Sequence, residues 1–405
     1  MGDQRLKAPL NLKDYWYPIS LESHIKNDPV GLHLLGHPIV LFRSNGQIVC
    51  LTDKCSHRSA PLSLGKVVNG NIECMYHGWQ HNAEGSVVHI PSKLPDHNIP
   101  SNAKSKSFPV KVENGLVWIC IGNSEITLIP PVYRPSTYHD FGIPIDTVVD
   151  LDIDHSLMIE NLMDPAHLPF THDGTLSNRS LISPMTLEFQ ITKDHHMFGT
   201  NIQTKYPDEK SVFNFYPPCH VILDIEVSPG WKLALHFHCV PIRPGHMRLI
   251  FRSSRNFMQW INSIPGFQSY QQSLSRKIVF QDYELLHGQS LRLQQKANPW
   301  NSITAVDMMP KTYRSWFKKT YGWFAGYGDI EDMATDGCIG CGDTDSFDEF
   351  RYTRQEGVDY SCYEKNKPKK PKLYLIGSSM LLVTAIGTIL AYKYAKWTLS
   401  VYNYW

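Results

Sequence analysis

Two mixed Cys-His pairs constrain this chain more than any other feature. In "CSHRSAPLSLGKVVNGNIECMYHGW" (residues 55–79), Cys55-x-His57 and Cys74-x-x-His77 stand sixteen residues apart. Each pair follows a strand-like run and a tight turn, so each offers one thiolate and one imidazole from a loop. Two such loops can hold a tetrahedral Zn²⁺. They can equally hold a [2Fe–2S] cluster, with both thiolates on one iron and both imidazoles on the other. Zinc sites more often take two cysteines from one knuckle and two histidines from another, so the mixed loops favour the cluster.

The remainder of the chain has room for more. Its 405 residues allow two domains with separate cores, on the prior of about 100–200 residues each. Lysine and arginine (39) balance aspartate and glutamate (38), so no global field draws the protein to nucleic acid. Nine cysteines in this length are too sparse for a disulfide scaffold and fit a reducing compartment. The opening "MGDQRLKAPLNLKDYWYPIS" has neither an apolar h-region nor the features of a transit peptide, and Leu6 stands where a myristoylation signal wants Ser or Thr.

Turn dipeptides punctuate residues 15–125. Asn45-Gly46, Asn69-Gly70, Glu84-Gly85 and Asn114-Gly115 separate short apolar runs, which predicts a small antiparallel β-domain. Residues 126–146, with the Pro-rich "LIPPVYRPS", read as a linker. Residues 147–320 mix patterns. "SLMIENLMDPAHLPF" has helical spacing up to Pro165, whereas "MTLEFQITK", "HVILDIEVS", "KLALHFHCV" and "HMRLIFRSS" alternate as strands do. A long amphipathic helix is expected over 270–295. The fold class is α+β. Residues 321–372 read as a tether. From Leu373 to Tyr392, twenty residues carry no charge, the length of a transmembrane helix. "KNKPKKPK" before it holds five lysines, which keeps the large N-terminal part on the cytoplasmic or stromal face.

A second constellation lies in "ENLMDPAHLPFTH", where His167 and His172 flank a break after Pro165. Non-haem Fe(II) that must bind O₂ takes two histidines and one carboxylate on one octahedral face.

"CSHRSAPLSLG" and "CMYHGWQHNAEG" closely resemble the Rieske fingerprint. That resemblance implies that Cys55 and Cys74 bind one iron of a [2Fe–2S] cluster and His57 and His77 the other. Asn161-x-x-Asp164-x-x-His167-x4-His172 resembles the mononuclear iron motif of the Rieske non-haem iron oxygenases. In that family a carboxylate from a late helix completes the ligand set. "VFQDYELL" offers Asp282, at the matching position, and Glu284 as its competitor. The family pattern further makes Asp164 a bridge that hydrogen-bonds His167 and reaches a cluster histidine of a neighbouring subunit. It places Asn161 near the iron without firm ligation. His81 and His89 read as exposed loop or strand histidines. His236 and His238 share one face of a strand and read as packing residues rather than cavity lining.

The resemblance implies an N-terminal all-β Rieske domain (15–125) and a helix-grip-type antiparallel sheet domain with a mononuclear iron (147–320). "DIDHSLMIENLMDPAHLPFTH", "FYPPC" and "ANPWNSITAVDMMPKTYRSWF" are similar to stretches of the chlorophyllide a oxygenase group. Cys338-x-x-Cys341 ahead of the apolar segment resembles the pheophorbide a oxygenase group instead, and those thiols are either a redox switch or inert. The implied activity is that of a membrane-anchored monooxygenase taking O₂ and electrons from a ferredoxin or flavoprotein reductase. Its implied assembly is a head-to-tail homotrimer, and its expected substrate is a chlorophyll-type tetrapyrrole. A sterol or other polycyclic lipid is the second substrate class. A non-catalytic membrane redox component is the second class of function.

Overall fold

The computed structural model describes residues 11–125, 140–203, 206–294, 304–322 and 358–359. The expected membrane segment (373–392) and Cys338 and Cys341 lie outside the described residues. Among the described residues no helix is long and apolar enough to cross a membrane.

The N-terminal part is built from eleven short strands. β1 (Tyr17–Leu21), β10 (Val110–Glu113) and β11 (Leu116–Ile119) form one sheet. β2 (Val30–Leu34), β3 (His37–Ser44), β4 (Gln47–Thr52) and β9 (Ser107–Phe108) form a second. β5 (Lys66–Val68), β6 (Asn71–Glu73), β7 (Gln80–His81) and β8 (Val87–His89) form the third. The turn dipeptides do what their chemistry suggests. Asn45-Gly46, Asn69-Gly70 and Asn114-Gly115 join paired strands, with positive φ at both residues of each pair. Asn tolerates that region and Gly occupies it without penalty, and the resulting twist matches the strands it joins.

The second part is a seven-stranded antiparallel sheet ordered β13-β14-β15-β16-β17-β18-β12, extended at the β12 edge by a two-residue parallel pairing. Its strands are β12 (Ile145–Leu151), β13 (Met185–Ile191), β14 (Met197–Gln203), β15 (Tyr206–Tyr216), β16 (His220–Ser228), β17 (Trp231–Arg243) and β18 (His246–Arg255). β12 begins inside the stretch that reads as linker. β14 and β15 were not expected from the sequence pattern. Among the described residues four α-helices accompany the sheet: α1 (His155–Leu162), α2 (Leu168–Thr171), α3 (Phe267–Gln294) and α4 (Met308–Tyr321). α3 packs on β12 and on α1, and α1 packs on α4, where Arg314 meets Glu160 at 3.0 Å.

The two sheet faces have different neighbours. Register pairs His236 with Arg252, His238 with Ile250 and Val240 with Arg248, so these residues share one face. That face meets the N-terminal part. Arg248 forks onto Asp150 (2.7 and 2.8 Å) and reaches the Ile19 carbonyl at 3.2 Å. Arg252 forks onto Asp146 (2.5 and 3.0 Å) and donates to the Asn114 carbonyl at 2.7 Å. Trp118 lies against His220 and His238, whose Nδ1 atoms are 2.8 Å apart. Both histidines are fully buried, so one ring donates and the other accepts, and burial holds His220 down to about 3. His238 thus packs against Trp118 at this seam, and buried His236 lies on the same sheet face opposite Arg252.

Candidate metal centres

The first centre stands at the tip of the N-terminal part, on the loop after β4 and the loop after β6. The two loops fold alike. The Cys55 N–H bonds the Ala60 carbonyl (2.8 Å) and the Ser59 N–H returns to the Cys55 carbonyl (2.9 Å). In the second loop the Cys74 N–H bonds the Trp79 carbonyl (2.8 Å) and the Gly78 N–H returns to Cys74 (2.9 Å). The residue four past each cysteine, Ser59 or Gly78, has positive φ. In the second loop a Cβ would also come within 2.8 Å of Pro91, which is why glycine suits that turn. At the base of the first loop, buried Asp53 accepts from the Ser63 N–H (2.8 Å) and Ser63 hydroxyl (2.6 Å).

These turns bring the four side chains together. Cys55 and Cys74 are buried side by side in one apolar cluster with Val40, Phe42, Leu51, Leu62 and Ile72. Burial, opposed by the His57 and Arg58 N–H groups and aided by the Cys74 thiol, pushes the Cys55 thiol up to about 11. Two adjacent thiolates in that surrounding require a cation between them, which is the demand a metal cluster meets. The His57 and His77 rings lie 4.7 Å apart, and His57 stacks on Trp79 at 4.4 Å. Sulfur is therefore inside and imidazole outside, with His77 exposed and flanked by exposed Met75 and Tyr76.

His81 departs from its expected exposure. It is fully buried on β7 and its Nε2 lies 3.1 Å from the Ser56 hydroxyl, between the first loop's two ligand positions. Alternation on a strand so close to the Cys-His pair was the available signal. His89 is exposed as expected.

The second centre draws on α1, α2 and α3. Asp154 caps α1, accepting from the Ser156 N–H (3.0 Å) and hydroxyl. The helix ends at Leu162, three residues short of Pro165, as the residue before proline disfavours helix. α2 is a single turn capped by His167 at its start and by His172 at its end, so the five-residue spacing returns both rings to one side. On α3 the buried residues Ser275, Val279, Asp282, Leu286 and Ser290 recur at helical spacing. Asp282 lies on that stripe and faces the histidines, whereas Glu284 is exposed off it.

The hydrogen bonds decide which ring nitrogens face inward. His167 Nδ1 donates to the Asp164 carbonyl (2.6 Å) and His172 Nδ1 to Gln281 Oε1 (3.0 Å). Each Nε2 then presents a lone pair. His172 Nε2 is 3.2 Å and His167 Nε2 3.6 Å from Asp282 Oδ1, and all three ligand atoms fall within 4.8 Å of one another. Asp282 Oδ1 has no aligned donor. Burial holds His167 below its ordinary range, while at His172 the Asp282 carboxylate outweighs burial and raises it. Three acceptor atoms converging in a buried site fit a divalent cation.

Asp164 differs from its expected role in one respect. Its backbone carbonyl, rather than its carboxylate, binds His167, and its Oδ1 accepts from the Ala166 N–H at 2.8 Å. Asn161, on the last turn of α1, has a buried Nδ2 without a hydrogen-bond partner.

Residues 15–109 match the Rieske [2Fe-2S] domain, a span containing Cys55, His57, Cys74 and His77, and residues 215–300 match the pheophorbide a oxygenase family. The chain thus joins a Rieske [2Fe-2S] domain to a pheophorbide a oxygenase domain. Chlorophyllide a oxygenase of Chlamydomonas reinhardtii is 30% identical over 75% of this chain and 48% of its own length. Protein TIC 55 of Pisum sativum is 31% identical over 78% of this chain and 61% of that protein. The chain thus spans about half to three fifths of these relatives. Dicamba monooxygenase bound to dicamba superposes with a TM-score of 0.64 at 21% identity, covering 76% of this chain and 97% of that one, a likeness of fold. The Rieske match assigns the first centre its [2Fe–2S] cofactor. The pheophorbide a oxygenase match includes Asp282, while His167 and His172 precede it.

Proposed function

We propose that this chain is an oxygenase that uses O₂ and externally supplied electrons to oxidise a lipophilic, chlorophyll-type tetrapyrrole. The convergence of His167 Nε2, His172 Nε2 and Asp282 Oδ1 carries the reading. An electron-transfer protein needs the cluster alone, whereas a buried two-histidine, one-carboxylate face suits an iron with open positions. Iron held there supplies oxygen activation. His167, His172 and Asp282 hold it on one side, and residues 147–320 form the domain around it. Cys55, His57, Cys74 and His77, within residues 15–125, hold the cluster that receives electrons from a ferredoxin or flavoprotein reductase.

The tetrapyrrole class rests on relatives named chlorophyllide a and pheophorbide a oxygenase. The uncharged run at 373–392 would anchor the protein in a membrane holding such a substrate, with its large N-terminal part on the cytoplasmic or stromal side. Exposed His77 on one copy would meet Asp164 on another in a head-to-tail homotrimer, closing a ring. Asp164 sits beside His167, and its carboxylate would bridge the two centres, with Asn161 close to the iron. Anaerobic single turnover of the reduced, detergent-solubilised chain against tetrapyrroles and sterols, read by mass spectrometry, tests the reading. A product carrying one oxygen from ¹⁸O₂ is expected with a tetrapyrrole; a product only from sterols would replace the substrate class.

The bridge has its own test. Asp164→Asn is expected to leave iron content and the cluster's electron paramagnetic resonance spectrum unchanged while turnover falls by at least two orders of magnitude, about 2.7 kcal/mol or more in barrier. Wild-type turnover in that variant would remove Asp164 from the electron path.

A further inference from the structure

His172 has both ring nitrogens engaged by consecutive residues of one helix. Gln281 Oε1 accepts from Nδ1 at 3.0 Å, and Asp282 Oδ1 faces Nε2 at 3.2 Å. Neighbouring helical residues point about 100° apart, so the imidazole spans the gap between the two side chains. Gln281 is held in turn: the Thr175 hydroxyl lies 2.9 Å from Gln281 Oε1 and 2.9 Å from the His172 carbonyl. Thr175 and Ser177 also return their N–H groups to that carbonyl, at 3.0 and 3.1 Å. The loop after α2 therefore closes onto the amide of α3. His167 has a different arrangement, with its Nδ1 fixed by the backbone of its own turn.

We propose that Gln281, clamped by Thr175, is a positioning residue that selects the His172 tautomer and keeps that ligand a neutral, moderate donor to the metal. The proposal rests on reading His167, His172 and Asp282 as an iron site. Its chemistry follows from the kind of acceptor. A carboxylate beside a ligating histidine pulls on the Nδ1 proton and makes Nε2 more basic, which favours the more oxidised ion. An amide oxygen carries no net charge and pulls less. It fixes the ring's orientation with less donation, leaving the ion more electron-poor and its ferrous form favoured. The clamp also ties the second ligand to the helix that carries the third, so the two move as a unit.

The test uses the full-length chain with its cluster intact and the mononuclear site first emptied by mild chelation. Anaerobic Co(II) titration, followed by visible absorption, gives the site's affinity. Gln281→Leu keeps the volume and loses the acceptor; its Co(II) dissociation constant is expected to rise about 10- to 100-fold. Thr175→Val is expected to shift it in the same direction by less, with Thr175→Ser close to wild type. Gln281→Glu separates positioning from packing. It should bind Co(II) at least as tightly as wild type and, loaded with iron, show a lower ferric/ferrous midpoint with the cluster potential unchanged. Wild-type affinity in Gln281→Leu, or an unmoved midpoint in Gln281→Glu, would overturn the proposal and leave the iron site standing. Failure of the wild-type chain itself to take up Co(II) would overturn the site as well.

Discussion

Replacing Asp282 by alanine should lower the iron content of the purified chain by one third, leaving only the two irons of the cluster. It should also reduce oxygenation to the background rate. Among the described residues the Asp282 side chain is the carboxylate facing two imidazole lone pairs, with Oδ1 3.2 Å from His172 and 3.6 Å from His167. Removing it leaves two neutral nitrogens, too few ligands and too little charge to hold ferrous iron against water. The cluster's characteristic absorption and its electron paramagnetic resonance signal should persist, because Cys55 and Cys74 lie in a separate hydrophobic cluster from the core around α3. Glu284→Ala provides the comparison. Its carboxylate is exposed on the same helix, and that variant should keep full iron and full activity. Loss of iron in Glu284→Ala with retention in Asp282→Ala would reassign the ligand.

The second large effect is on stability. Arg252→Met is expected to cost about 3–5 kcal/mol, the usual consequence of leaving one member of a buried ion pair uncompensated. Its side chain is 5% exposed, and the guanidinium makes two contacts with Asp146 and donates to the Asn114 carbonyl in the β10–β11 turn. The loss therefore acts at the seam between the two parts of the molecule. Hydrogen exchange should quicken in β11 and β12 before it quickens in the cluster loops. The double variant Arg252→Met/Asp146→Leu should recover much of the loss, since two apolar side chains then replace the stranded charge. Thermal unfolding of the three proteins measures both effects. Equal midpoints for wild type and Arg252→Met would mean that Arg252 contributes nothing to stability through its fork or its bond to Asn114.

How far the fold could be read in advance varied with the local chemistry. The Asn-Gly turns of the N-terminal part were legible because positive φ at two successive residues is a requirement few dipeptides meet. β16, β17 and β18 were legible from alternation, since one residue in two is turned to a core. β14 and β15 were not. "MFGTNIQ" breaks its apolar run at Gly199, and "YPDEKSVFNFY" opens with a proline and three charges, though this strand lies between two others. Tertiary pairing overrode both local patterns. At the second centre the histidines and Asp282 were reachable from the family motif that the sequence resembles. The partners that orient them were not. Asp164 uses a carbonyl every residue possesses, and Gln281 meets His172 and Thr175 across a gap of more than a hundred positions.

The seam also bears on how an electron could be timed. Arg248 and Arg252, each braced by a fork onto an aspartate of the same sheet, donate across to the Ile19 and Asn114 carbonyls, and the Trp118 ring lies against His220 and His238. These contacts hold β1, the β10–β11 turn and β11 against the sheet, so under the proposed electron path this seam would offer no free pivot. Control over electron arrival would then reside in the redox tuning of the ligands and in the approach of another molecule to the imidazole edge.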